Sequence, residues 1–255
     1  LFVVALLSKS VTATLPAALL VVFWWQRGRL EWRRDVVPLL PWFVLGAAMG
    51  LFSAWVEKKY IGADGAEFAL NLGERALLAG RIAWFYVGKV LWPAELIFIY
   101  PRWTVDAGVA GQWLWSLAVL AALGGLWWVR RWNRAPLGAV LFFGGSLFPT
   151  LGFFNVYAFL YSFVADHWQY LPSIGLIVLG AAGLTSLLAR APILMRRGLP
   201  VLLVTGLGVL SFHQSRMYAD MRTFYRTTLD RNPTAWMAHN NLGNLLREVG
   251  KLDEA

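Results

Sequence analysis

Apolar residues along this chain come in long runs, and short clusters of Arg divide the runs from one another. Residues 11–25, 36–56, 112–129, 136–154, 173–189 and 199–212 carry no charged side chain. A helix needs about 20 such residues to cross the hydrocarbon core of a bilayer. The pattern predicts an all-α, polytopic bundle, in which the run at 11–25 is short and broken near its start by Pro16. Residues 1–8, LFVVALLS, read as the last turns of a further spanning helix.

Three stretches do not fit that pattern. Residues 57–81 are polar. Residues 76–100 carry Arg81, Lys89, Pro93 and Glu95, which predicts a helix lying in the interface, followed by a dip or half-helix. Residues 216–231 are amphipathic, with Met217, Met221, Phe224 and Leu229 among the apolar positions, and predict a helix leading into the C-terminal tail. The loop at 155–172 contains no Lys or Arg at all.

Charge orients the bundle. The loops at 26–35, 130–135 and 190–198 hold ten Arg between them, so the positive-inside rule assigns them to the cytoplasm. Residues 57–81, 101–111, 155–172 and the C-terminal tail then lie on the other side. This alternation requires that 76–100 not span. Trp84, Trp92 and Trp103 would sit at headgroup depth.

Composition sharpens the picture. The chain is 58% hydrophobic, with a mean hydropathy of +0.56, and belongs with polytopic membrane proteins. The net charge of +9 does not imply nucleic acid, because the Arg residues flank apolar segments. The absence of Cys excludes disulfides and thiolate chemistry, and three scattered His offer no metal-ligand spacing. Scarce Lys beside abundant Arg, Ala, Gly and Trp fits a GC-rich bacterial genome, and hence a bacterial inner membrane with a periplasmic tail.

Residues 236–255, WMAHNNLGNLLREVGKLDEA, resemble the first helix and turn of a tetratricopeptide repeat, carried by Leu242, Gly243, Leu246, Gly250 and Ala255. Asn232-Pro233 resembles the junction ahead of such a repeat. Small residues at 243 and 255 leave room for a crossing helix, and Gly250 ends the first one. Half a repeat cannot bury its own apolar face, so more repeat is expected beyond residue 255. Two domains result, residues 1–212 in the membrane and 213–255 beginning the repeat.

Three further stretches, taken in order with that tail, resemble the transmembrane and tetratricopeptide-repeat (TMTC-like) protein O-mannosyltransferases of the GT-C glycosyltransferase class. They are LLSKSVTATLPAALLV at 6–21, matched at Ser8, Lys9, Leu15 and Pro16; YVGKVLWPAELIFIYPRW at 86–103, matched at Tyr86, Lys89, Trp92, Pro93, Leu96, Tyr100 and Pro101; and ADHWQYLPSIG at 165–175, matched at Ala165, Asp166, Tyr170, Leu171, Pro172 and Gly175. The resemblance implies a GT-C-like membrane domain that transfers a hexose, mannose in that family, from a polyprenyl-phosphate donor to Ser or Thr of proteins. The reaction would lie on the non-cytoplasmic face, with the repeats recruiting the acceptor polypeptide. His167 departs from the family by replacing an Arg. The family's acidic catalytic motif would fall upstream of Leu1, which leaves Asp166 as the catalytic candidate within the chain.

Such a transfer needs a carboxylate for the acceptor hydroxyl and cationic or donor groups for the leaving phosphate. His167, Lys9, Arg102 and Tyr170 are the substrate-binding candidates, with Asp166 orienting His167 or the acceptor. Each has a bland alternative: Asp166 as a helix N-cap with His167 merely exposed, and Lys9 snorkelling to the headgroups. Lys89 reads as an interfacial anchor, Glu57-Lys58-Lys59 as a solvated helix cap, and Trp24, Trp25, Trp127 and Trp128 as an interfacial belt. The rival to an enzyme is a non-catalytic, membrane-anchored repeat scaffold for envelope complexes.

Overall fold

A computed structural model describes residues 1–250. Among its described residues the regular structure is all helical, with no strand. Ten α-helices run in order: α1 (Phe2–Ser8), α2 (Leu15–Arg27), α3 (Leu40–Val56), α4 (Leu72–Leu91), α5 (Trp113–Val129), α6 (Ala135–Leu147), α7 (Tyr170–Leu187), α8 (Ile193–Ser215), α9 (Met221–Arg231) and α10 (Trp236–Glu248). With their flanking tight turns, the helices at Trp32–Ile61, Ala110–Val129, Asp166–Leu187 and Ile193–Tyr218 are long and apolar enough to cross a membrane. The chain is an integral membrane protein.

Two of the six apolar runs make shorter helices than their lengths predict. Lys9 is extended (φ −156°, ψ 116°) and ends α1; a 3-10 turn at Ser10–Thr14 comes next, and Pro16 sits in the first turn of α2. That leaves α2 13 residues long, or about 20 Å at 1.5 Å per residue. The α6 run ends at Leu147, where Pro149 falls in a 3-10 turn at Phe148–Thr150. Proline has no N–H for the ladder and clashes with the preceding turn, which accounts for both breaks.

The segment at 76–100 also differs in detail from its prediction. Helix α4 starts earlier, at Leu72, under a reciprocal cap: Asn71 accepts from the Glu74 N–H (3.0 Å) and Glu74 from the Asn71 N–H (2.8 Å). It falls outside the four apolar spans. One face of it is core, since Leu77, Leu78, Ile82 and Tyr86 are buried, the last three packed with Phe143, Leu147, Phe159 and Val164. No half-helix comes after it, because Pro93 and the positive φ of Glu95 (54°) lead into irregular backbone. The amphipathic stretch at 216–231 is likewise divided. Helix α9 begins at Met221, where Asp220 caps it by accepting from the Thr223 N–H at 2.8 Å.

Close crossings hold the bundle. A Cβ on Gly80 would lie 2.5 Å from Ser116 Oγ and 2.7 Å from Ser116 N, so α4 and α5 touch backbone to backbone. The Ser116 hydroxyl donates to the Ala76 carbonyl at 2.8 Å in that crossing. Gly175 does the same for α6 and α7, with its Cβ position 2.8 Å from the Ala139 carbonyl oxygen. Two of the Arg-rich loops, 26–35 and 130–135, meet at one end, where Gly28 abuts the Arg134 side chain and Arg27 pairs with the buried Asp35. Helix α6 runs from there to the polar loops. Among these, Arg75 donates to the Gly152 carbonyl (2.8 Å) and Asn155 Oδ1 (2.8 Å). Glu57 accepts the Tyr157 N–H at 2.7 Å, which makes it a tie between loops rather than a solvated cap.

Helices α9 and α10 form a hairpin on the same polar side. Gly250 lies just past α10 with φ 74°, the left-handed helix end expected there. Ala255 of the repeat pattern lies outside the described residues.

Candidate functional site

The second half of α4 and the start of α7 build the site together. Tyr86 is wholly buried, and its phenol clasps both backbone groups of one residue, Ala165. It donates to the Ala165 carbonyl (3.0 Å) and accepts the Ala165 N–H (2.9 Å). That fixes the backbone immediately before Asp166. The carboxylate of Asp166 then takes the Tyr100 hydroxyl at 2.7 Å. Phe85 seats both phenols edge-on, at 5.3 Å from Tyr86 and 5.0 Å from Tyr100.

Asp166 is therefore not an N-cap. The residue that precedes the 3-10 turn at Asp166–Gln169 is Ala165, and no side chain caps that turn. The carboxylate points towards α4 and the segment behind it.

Lys89 stands on the other side of this pair. Its ammonium donates to the Ala94 carbonyl at 2.7 Å and lies 5.4 Å over the Tyr100 ring and 5.6 Å over Phe85. Burial lowers its pKa from the ordinary lysine value, while the Asp166 and Glu95 charges pull it back up. Burial also raises the Tyr86 phenol, and burial with the Asp166 charge raises the Tyr100 phenol, so both stay protonated. The group is a neutral hydroxyl, a carboxylate and an ammonium packed on aromatic faces, and salt screens such a group less than a surface pair.

Two of the sequence candidates are exposed on the open side. Lys9, exposed at the α1–α2 break, acts electrostatically on His167, which is exposed at the start of α7. Tyr170, in the turn after His167, is 72% exposed. Tyr218, just beyond α8, lies within electrostatic reach of Asp166. Among the described residues no three His, Asp or Glu side chains gather as metal ligands. The cations available to an anion here are Lys9 and, when protonated, His167, with Lys89 behind.

Arg102 lies apart. It pairs with the Glu67 carboxylate, donates to the Glu67 carbonyl, and covers the Phe163 ring at 5.0 Å. Its charge is compensated there and is not shared with Lys9 and His167.

No family model, curated protein or solved structure matches the chain.

The geometry itself must then identify the working residues, and it adds Lys89, Tyr100 and Tyr86 to the candidates. All three fall in the stretch at 86–103, whose spacing was visible, but no local signal tied them to Asp166. The end of α8 and the C-terminal hairpin hold this stretch from outside. Gln214 Nε2 and Arg231 donate to the Leu96 carbonyl at 2.7 and 2.8 Å, and Asn232 Nδ2 donates to the Ile99 carbonyl at 3.0 Å. Ile99 packs with Ala235 and Ala238. The residue after Ile99 is Tyr100, so the hairpin buttresses the Asp166 contact.

Proposed function

We propose that this chain is an integral membrane glycosyltransferase of the GT-C type, related to the TMTC-like protein O-mannosyltransferases. It takes a hexose from a polyprenyl phosphate and passes it to a Ser or Thr hydroxyl of a polypeptide on the non-cytoplasmic face of a bacterial inner membrane. The observation that carries the reading is the Asp166 carboxylate held by the Tyr100 hydroxyl at 2.7 Å, with the Lys89 ammonium over the Tyr100 ring and the exposed His167 next to Asp166 in the chain. Lys9 and protonated His167 receive the phosphate. In the transfer, the acceptor oxygen bonds to the anomeric carbon as the bond from that carbon to the phosphate oxygen breaks. The polyprenyl phosphate leaves with the electron pair, and Asp166 takes the acceptor proton. The hairpin α9–α10, as the beginning of a tetratricopeptide array, brings the acceptor polypeptide.

The test is binding of polyprenyl phosphate, with and without its hexose, to the purified chain in lipid nanodiscs. Lys9→Ala and His167→Ala should each weaken binding by roughly ten- to a hundredfold, the worth of a charge-assisted hydrogen bond of about 1.5–3 kcal/mol. Binding should also fade as the imidazole deprotonates, and His167→Arg should remove that pH dependence. Unchanged binding in both Ala variants would sink the reading.

A second reading rests on a different observation. Lys89, Arg102 and Asp166 all spend hydrogen bonds on partners within the chain, as they would in a non-catalytic scaffold that presents its repeats to envelope proteins. Hexose transfer to a Ser/Thr peptide that is lost in Asp166→Asn decides for the enzyme.

A further inference from the structure

A cavity of about 260 Å³ lies where the hairpin meets the membrane domain. Tyr161 and Trp236 form one wall, their rings 5.1 Å apart and inclined at 39°. The Arg102–Glu67 ion pair forms another, and Asn232 and Thr234 of the hairpin junction close it. Lys9 and His167 are not among its lining residues, so it is separate from the phosphate site proposed above.

The chemistry of these walls is selective. Arg102 and Glu67 neutralise each other, so the space has hydrogen-bonding groups of both kinds without a net charge to attract an anion or a cation. Glu67 pairs through Oε2, and Oε1 remains as an acceptor. Thr234 adds a hydroxyl, although it also donates to Asn232 Oδ1 at 2.8 Å. Trp236 is 55% exposed, so an aromatic face is presented to the ligand rather than spent in the core. The matching ligand is small and uncharged, has hydroxyls around its edge, and turns an apolar C–H face towards an aromatic ring.

We infer that this cavity is a binding site for a single uncharged hexopyranoside. The aromatic wall takes the C–H face of the sugar ring. The Thr234 hydroxyl and Glu67 Oε1 take ring hydroxyls. The site does not depend on the transfer reading, since it would hold a hexoside whether or not the chain transfers one.

The experiment uses the 255-residue chain in nanodiscs and methyl hexopyranosides of several epimers, read by saturation-transfer NMR and calorimetry. At least one neutral hexoside should bind. Trp236→Phe should keep most of that affinity and Trp236→Ala should lose tenfold or more. Glu67→Gln leaves Arg102 uncompensated, so it should weaken the neutral hexoside and raise affinity for the corresponding hexuronide. Lys9→Ala and His167→Ala should leave hexoside binding unchanged even where they abolish polyprenyl-phosphate binding, which separates failure of one site from failure of the other. Saturation transfer to none of the hexosides, or equal binding in Trp236→Ala, would overturn the proposal. So would a Ser/Thr-rich peptide that titrates the cavity where no hexoside does, because it would assign the space to a polypeptide.

Discussion

The phenol of Tyr100 donates to Asp166 Oδ1 at 2.7 Å, joining the irregular segment behind α4 to the first turn of α7. A carboxylate held this way in an aromatic surround is an electrostatic commitment, because the hydroxyl is the only side-chain donor it has among the described residues. Tyr100→Phe should destabilise the protein by about 1.5–3 kcal/mol, the range for hydrogen bonds to charged groups. Asp166→Asn keeps an acceptor for Tyr100 and should cost less. Thermal unfolding of the two variants in the same detergent checks the order, and a larger loss in Asp166→Asn would contradict the bond as described.

Alkaline stability should report the buried phenols. An unfolded tyrosine loses its proton near about pH 10, whereas folded Tyr86 and Tyr100 hold theirs to higher pH. Above about pH 10 the folded state binds more protons than the unfolded one, so stability falls as pH rises. Lys89 works in the opposite sense. Its folded pKa is lowered, so the unfolded chain binds the extra proton below about pH 10.4 and stability rises towards that value. Denaturation midpoints across this range should show a shallower fall in Tyr86→Phe, where Tyr100 alone remains, and a reduced rise in Lys89→Met.

The α4–α5 crossing has no space for a side chain at Gly80. Gly80→Ala should cost about 1–3 kcal/mol through overpacking, despite the better helix propensity of Ala. The same change at Gly88, whose Cβ position meets nothing within 4 Å, should be neutral or stabilising. A melting-temperature comparison of the two variants is sufficient, and equal shifts would deny the close approach.

Topology can be read chemically because the chain has no Cys. Cys placed singly at Arg29, Asn133 or Met195 should resist a membrane-impermeant thiol reagent in intact cells. Cys at Asp64 or Asn244 should react. Labelling at Asn133 with protection at Asn244 would invert the orientation and move Asp166 to the cytoplasmic face.

How far the sequence discloses the fold and the site depends on the range of each signal. The spans at α3, α5, α7 and α8 were legible because a run of apolar residues is a local property. The late start of α2 and the early end of α6 were partly legible, since Pro16 and Pro149 mark them, but the extended backbone at Lys9 was not. The site divides along the same line. Asp166 and His167 drew notice as charge within an aromatic loop, and Lys9 as a cation between apolar runs. The partnership of Asp166 with Tyr100, and of Ala165 with Tyr86, depends on how α4 lies against the start of α7, and no window of sequence contains both. Arg102 shows the converse, since a cation in a matching motif proved to be paired with Glu67.

The grip of Gln214, Arg231 and Asn232 on the carbonyls of Leu96 and Ile99 bears on biogenesis. A ribosome releases the chain from its beginning, so Leu96 and Ile99 are in place long before the residues that secure them. The stretch that carries Tyr100 must wait, without helix or sheet to shape it, until residue 232 has been made and delivered to the same side of the bilayer. The site matures last, and a chain stalled before Asn232 would carry its spanning helices in the membrane with Tyr100 still unsettled.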